Sequence, residues 1–301
     1  MPQLYSSVAG NIFGMKALKN LRLEDIDFSE KYVKSFKGPQ FGIAGVRKFM
    51  NIYNRPLTAT VPKPKLGMTT EEYCKTAKDI WSGGLDIVKT DENMTSQKFV
   101  KKCGGEFIMI DIVTAGWAGS QTIRNEAEDL KLAIHAHRAM HAAFTRNPKH
   151  GISMLTLAKC ARLVGVDNIH IGTAVGKLVS PIKEVLGIER EITGEEIEET
   201  LINENGHILQ QEWYNIKPVF PVSSGGLHPG LIPYIMRMLG KHIILQCGGG
   251  VTGNPLGTKA GAVGMRQAIE ATLNNRPLKE YAKNHKELKA ALDKWGYKKP
   301  I

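Results

Sequence analysis

A chain of 301 residues, 42% of them hydrophobic and 23% charged, can bury a substantial core in one large α/β domain or two smaller ones. A formal net charge of +11 suits a polyanionic partner, either nucleic acid or a small substrate such as a bisphosphate, or marks only a basic solvated surface. The lysines are scattered, with no Arg-rich tract, RNA-binding aromatic motif or zinc finger, which argues against nucleic acid. No apolar run is long enough to span a bilayer, and the amino terminus carries no signal-peptide pattern, so no membrane partner is expected. Cys74, Cys103, Cys160 and Cys247 show no CxxC or Cys/His metal spacing, so they read as reduced thiols of a cytoplasmic protein.

Residues 1–50 read as a helical lead-in. Residues 15–23 carry apolar side chains at helical spacing, and residues 28–36 mix aromatics with lysines. Asn11 lies in a loop of small neighbours, Ala9-Gly10-Asn11-Ile12-Phe13-Gly14. From about residue 55 a rhythm of apolar strand, polar or Gly-rich loop and helix sets in. Strands are expected at 57–62, 86–90, 107–113, 132–137, 168–172, 218–223 and 243–247. Helices are expected at 69–81, 118–130, 152–164, 231–239 and 258–273, the first opening on the good helix start Thr69-Thr70-Glu71-Glu72. This alternation predicts a parallel sheet with helical crossovers. The chain then divides into the lead-in, a barrel over 51–275 and a helical tail over 276–301. Two stretches break the rhythm. Residues 193–215 are acidic and irregular and read as an exposed helix and loop. Residues 93–106 separate two strands yet are too short for a crossover helix with its loops. Seven strands are legible where a closed barrel of this class has eight, so one unit is expected to be missing.

The polar residues with chemistry in them lie at the carboxyl ends of the strands, where a (β/α)8 barrel keeps its catalytic groups. Lys63-Pro64-Lys65 follows the first strand; proline keeps the two lysines extended, as phosphate ligands, as an acid, or as ordinary loop lysines. The run Gly83-Gly84-Leu85-Asp86-Ile87-Val88-Lys89-Thr90-Asp91-Glu92-Asn93 begins as an apolar strand and ends in a lysine and two carboxylates. Alternation points Lys89 and Asp91 the same way, and adjacent hard oxygen donors suit Mg²⁺ better than zinc. The bland alternative is a charged turn with an ion pair. In His135-Ala136-His137-Arg138-Ala139-Met140-His141, His135 and His137 share a face; His137 beside Arg138 could move protons while the guanidinium grips phosphate. A packed core role is expected for His135 or His141, and no third ligand supports a zinc pair. After His170, Gly172-Thr173-Ala174-Val175-Gly176-Lys177-Leu178 describes a mobile loop around one lysine, without the spacing of a nucleotide-binding phosphate loop. Ser223-Ser224-Gly225-Gly226 and Gly248-Gly249-Gly250 end later strands, either as backbone cradles for phosphate or as tight turns.

Together these motifs resemble the large chain of ribulose-bisphosphate carboxylase/oxygenase (RuBisCO). The wording is most similar to the archaeal form III enzymes through Pro62-Lys63-Pro64-Lys65, through His135 to Arg146 and through Phe220-Pro221-Val222-Ser223-Ser224-Gly225-Gly226-Leu227-His228-Pro229. The resemblance covers nearly the whole chain. It implies the TIM-type (β/α)8 barrel of the family's carboxyl-terminal domain, incomplete here. It implies carboxylation of D-ribulose 1,5-bisphosphate by CO₂ to two 3-phosphoglycerates, with the competing oxygenation by O₂, in AMP salvage. By resemblance, Lys89 becomes a carbamate with activating CO₂ and holds Mg²⁺ with Asp91 and Glu92, and that carbamate takes the C3 proton. Lys63 protonates the last carbanion with Lys65 in support, His137 relays protons, and Lys177 stabilises the developing carboxylate. Arg138, His170, Ser224 and the Gly225, Gly226, Gly248 and Gly249 turns contact substrate, and Asn11 is the amino-domain contact retained. A homodimer or an oligomer of dimers follows from the family.

The departures carry expectations too. The family's amino-terminal α/β domain is expected to be absent, and residues 93–106 to stand in for a crossover helix, a strand and most of a helix. Leu178-Val179-Ser180-Pro181 replaces a glycine-bearing continuation of the mobile loop. Hence two alternatives stay beside carboxylation. One is an impaired barrel that binds sugar phosphates or joins a full-length large chain. The other is a sugar-phosphate enolisation, which the retained Lys63, Lys89 and Lys177 oppose.

Overall fold

The computed structural model describes residues 1–64, 67–90, 105–173, 175, 181–203 and 206–297. All seven apolar runs are strands: Leu57–Thr60, Ile87–Val88, Phe107–Asp111, Ala133–His137, Asn168–His170, Phe220–Ser224 and Ile244–Gln246. Their registered pairings are parallel throughout. Parallel strands with helices between them make the fold α/β. Of residues 93–106, where the missing unit is expected, 93–104 lie outside the described residues. The chain divides into two compact units.

The first unit comprises Met1–Phe49, Ser96–His170 and Leu186–Pro221. Its strands pair in the order Phe107–Asp111, Ala133–His137, Asn168–His170, with Asp111 abreast of His137 and His135 abreast of Asn168. The Phe107–Asp111 strand ends two residues earlier than expected because Ile112 and Val113 start a helix, Ile112–Leu130. Gly116 interrupts that helix at φ +71° and ψ 166°, a conformation open to glycine, so the expected helix at 118–130 is its second segment. Every residue of the Met154–Val164 helix is buried, and its Ser153 N-cap accepts the Thr156 N–H at 3.0 Å. From it Arg162 donates to the carbonyls of Glu191, Gly194, Ile216 and Lys217 and lies 4.2 Å over the Trp213 ring. Such a buried guanidinium is tolerable because its donors are matched.

Two readings are corrected in this unit. Residues 193–215 are not a helix and loop: Glu196–Ile197 pairs antiparallel with Gln211–Glu212, and Thr200–Asn203 with Gly206–Ile208. The acidic residues hid a short apolar alternation, in which Ile197 and Ile208 are buried. Residues 15–23 do not form a helix either. Met15 and Leu18 are exposed, so helical spacing there has no core to face, and Arg22–Leu23 pairs instead with Gly151–Ile152.

The second unit comprises Met50–Thr95, Ile171–Val185 and Val222–Ile301. Its strands run Ile87–Val88, Leu57–Thr60, Ile244–Gln246, then residues 222–224, with Ser224 abreast of Gln246. The Phe220–Ser224 strand starts later than expected; Pro218 lacks the N–H that a ladder needs. The Thr70–Ser82 helix opens on a full capping box, Thr69 with Glu72. Arg55 grips Asp86 with two nitrogens at 2.6 and 2.7 Å, and the same carboxylate accepts from Thr58, which pins the start of two strands. The Thr258–Leu273 helix packs on Lys286–Trp295 so closely that a Cβ on Gly264 would meet the Glu287 carbonyl oxygen at 3.0 Å. Here the core is aliphatic, with Leu57, Ile80, Ile243, Ile244 and Leu245 fully buried.

Candidate active site

The first unit gathers the histidines. His137 closes its strand, and its Nδ1 lies 2.6 Å from Oδ1 of Asp111, which closes the neighbouring strand in register. Both side chains keep some access to solvent. His170, buried at the end of the next strand, presents its ring edge-on to His137, with centroids 4.8 Å apart. Its Nε2 faces Nε2 of His135 at 2.8 Å, so one ring must donate and the other accept. His135, which with His141 was one of two candidates for a packed core role, is buried and bonded to His170. Arg138 is buried directly after His137. Burial, then the charges of Arg138 and His137, push His141 down to about 4, which keeps it neutral near pH 7. Asn11 is exposed in the one-turn helix Asn11–Gly14, and no described contact joins it to the histidines.

The second unit gathers the strand-end lysines and the glycine turns. Lys89 is 7% exposed; its backbone N–H donates to Thr60 O at 2.9 Å, and its Nζ donates to Thr90 O at 3.0 Å. Lys63 stands against the turn after the Ile244–Gln246 strand, with its Cε 3.5 Å from where a Cβ on Gly248 would be. Ser224 ends its strand and leads into Gly225 and Gly226, both at positive φ. The Gly248–Gly249 turn packs against that segment, for a Cβ on Gly250 would strike Leu227 O at 2.1 Å. Glycine is therefore required where two loops cross. Lys65, Asp91, Glu92 and Lys177 lie outside the described residues.

Does this chain suit Mg²⁺? Among the described residues no group of three or more His, Cys, Asp and Glu side chains could hold a metal. The donor set that the resemblance implies is Lys89, Asp91 and Glu92, of which Lys89 is described. A lysine fixed and buried two residues before paired carboxylates is a fitting place for a carbamate, and a carbamate with two carboxylates is a hard oxygen set of the kind Mg²⁺ takes.

Asp111 was missed by the sequence reading. Its signal was a lone acid closing the apolar run Phe107-Ile108-Met109-Ile110, one strand before His137. Only the register shows that the two residues stand side by side.

Comparison with known proteins supports one family throughout. The model of the ribulose bisphosphate carboxylase large chain catalytic domain matches residues 42–102 and 97–295, in two segments that meet inside residues 93–106. That of the large chain N-terminal domain matches residues 1–32, so part of the domain expected to be absent is recognisable in the lead-in. The ribulose bisphosphate carboxylase of Pyrococcus abyssi is 49% identical, covering 99% of this chain and 77% of that protein. The enzyme of Methanocaldococcus jannaschii is 46% identical over 98% of this chain and 79% of that protein. Among solved structures, the dimeric archaeal Rubisco of Hyperthermus butylicus aligns with a TM-score of 0.92 at 45% identity, over 99% of this chain and 79% of that one. The octameric enzyme of Pyrococcus horikoshii aligns with a TM-score of 0.89 at 47% identity, over 98% and 76%.

Proposed function

Because the chain belongs to the ribulose bisphosphate carboxylase large-chain family, we propose that it carboxylates D-ribulose 1,5-bisphosphate with CO₂, in a Mg²⁺-dependent reaction that O₂ contests. The observation that carries the reading is Lys89, buried at a strand end and followed two and three residues later in sequence by Asp91 and Glu92. A buried lysine among carboxylates has an ordinary use as an ion pair, but not together with Lys63, His137 and Lys177 in the family's order.

Lys89, as its carbamate, accepts the C3 proton of the sugar. Mg²⁺, which the Lys89 carbamate, Asp91 and Glu92 would hold, would supply Lewis acidity to the sugar's oxygens. His137 passes protons at its imidazole. Lys177 neutralises charge that grows on the new carboxylate, and Lys63, supported by Lys65, delivers the last proton. Arg138 and His170 hold phosphate and hydroxyl oxygens by charge-assisted bonds. Ser224 with the backbone of Gly225, Gly226, Gly248 and Gly249 does the same for phosphate, since glycine lets N–H groups approach an anion closely. Asn11 makes an amino-terminal contact to the substrate. Two 3-phosphoglycerates leave the site. The dimeric and octameric relatives support a homodimer or an oligomer of dimers. The archaeal form III wording supports a place in AMP salvage. No described helix is long and apolar enough to cross a membrane, and Cys74, Cys160 and Cys247 are free thiols, which fits the cytoplasm.

A second reading, binding of sugar phosphates without turnover or association with a full-length chain, is favoured by one observation. The alignment to the Pyrococcus abyssi enzyme runs over 342 positions, more than the 301 residues present here, so that enzyme carries residues without a counterpart. Incorporation of ¹⁴CO₂ into 3-phosphoglycerate by the purified chain decides between them. Labelled product supports carboxylation; calorimetric binding of the bisphosphate with no labelled product supports the second reading.

A further inference from the structure

We propose that Asp111 is a positioning residue whose carboxylate decides which nitrogen of His137 carries the proton. It thereby presents Nε2 as the proton-accepting atom. The inference rests on the reading of His137 as a proton relay, but the tautomer it assigns can be measured without any turnover.

The backbone brings the pair together. Asp111 and His137 are register partners on parallel strands, so their side chains leave the sheet on the same face. Oδ1 lies 2.6 Å from Nδ1. A carboxylate can only accept, so Nδ1 donates and the lone pair falls on Nε2. The ordinary role for an aspartate at this place is a different one. Asp111 is the N-cap of the Ile112–Leu130 helix, where its side chain would normally take up a free backbone N–H. It makes no such cap bond. Its carboxylate is turned away from its own helix and toward the imidazole.

A competitor shows what the carboxylate does. The Ala139 backbone N–H lies 3.2 Å from the same Nδ1, and that bond requires the lone pair on Nδ1 rather than on Nε2. The two arrangements exclude each other. The shorter contact is charge-assisted and roughly twice as strong as a neutral one, so the carboxylate prevails. Remove it, and Ala139 takes Nδ1 and inverts the tautomer. Other groups also face His137. His170 meets it ring edge to ring face and is itself tied to His135, while Arg138 and the neutral His141 follow on the connecting turn. Once Nε2 is protonated, Asp111 is also the anion that steadies the imidazolium.

The test uses the full chain labelled with ¹⁵N-histidine, with His137→Gln to assign the His137 signals. The expected spectrum of neutral His137 shows hydrogen on Nδ1; in Asp111→Ala it shows hydrogen on Nε2. With an active chain, Asp111→Ala and Asp111→Asn should lower kcat on the order of 10²- to 10⁴-fold with KM little changed. The acidic limb of the kcat profile should move to lower pH, and Asp111→Glu should recover part of the rate. Hydrogen on Nε2 in the parent, or an unchanged tautomer in Asp111→Ala, overturns the proposal. A parent chain with the expected tautomer and its inversion in the variant, yet without ¹⁴CO₂ fixation, upholds Asp111 and overturns carboxylation.

Discussion

Lys89 is the residue on which the proposed chemistry turns. Its aliphatic stem is buried, so a side chain that seldom leaves solvent has been placed inside at a strand end. If CO₂ and Mg²⁺ convert it to a bound carbamate, each ligand is held only with the other. Mass action then requires that Mg²⁺ and bicarbonate together raise the melting temperature more than the sum of either alone. Lys89→Met should abolish that synergy, and an equal joint shift in the variant would sink the idea. A second buried charge, outside the proposed chemistry, gives a pH dependence of its own. Lys159 is fully buried with Asp25 at 2.9 Å and Glu191 at 3.6 Å. Burial pushes Glu191 up from 4.5 to about 7, Asp25 adds to the rise, and Lys159 and Arg162 oppose it. A carboxyl whose pKa is raised by folding holds its proton more tightly in the folded chain than in the unfolded one, so it favours folding at the pH values where the folded chain keeps that proton. Its contribution is therefore full below about pH 4.5, declines as pH rises toward about 7 and is gone above it. Glu191→Gln should flatten that part of the melting-temperature profile, and an unaltered slope between those pH values would place the titration elsewhere.

At the scale of elements, what could be read from the sequence was whatever buries an apolar face. The seven strands stand where the apolar runs put them, and the Thr258–Leu273 helix matches its expected bounds. Ends were less legible because local chemistry decides them: Gly116 splits one helix, and Pro218 delays one strand. The Gly42–Met50 helix falls inside the lead-in expected to be helical, whereas the Ile182–Thr193 helix and the antiparallel pairs of residues 196–212 were hidden. Their apolar positions are few and interleaved with charge, so periodicity gave no clear signal. Of the site, strand-end lysines, histidines and glycines were visible as residue types. The Asp111–His137 and His135–His170 pairs were not, since register between strands is a tertiary fact. The capping box shows local chemistry that was legible. Thr69 accepts from Glu72 N–H at 3.2 Å, and Glu72 returns a bond to Thr69 N–H at 2.8 Å. Thr69→Ala should cost about 0.5–2 kcal/mol in chemical denaturation, with Thr69→Ser close to the parent. Equal stability of the alanine variant would mean that the first turn frays without consequence.

For the whole molecule, the residues proposed as catalytic stand in a chain that is expected to lack one βα unit at residues 93–106. The catalytic-domain match breaks there, and the Pyrococcus abyssi alignment needs 342 positions for a chain of 301. In a parallel barrel, strand number, tilt and shear are linked, so a missing βα unit shifts every strand end beside it. The unit adjoins the Lys89-Thr90-Asp91-Glu92 segment, the part of the chain proposed to hold the metal. Catalysis by positioned groups loses about a hundredfold for a displacement near 1 Å. Carboxylase turnover should therefore lie roughly a hundredfold or more below that of a full-length archaeal relative assayed beside it. Grafting the relative's segment in place of residues 93–106 should raise turnover, whereas the same graft carrying Lys89→Met should not. Full turnover by the unaltered chain would show that the contraction leaves the metal site where the chemistry needs it. A graft that folds, binds Mg²⁺ and bicarbonate together and still fixes no CO₂ would move the cause from this segment to the amino-terminal region, where the family match is confined to residues 1–32.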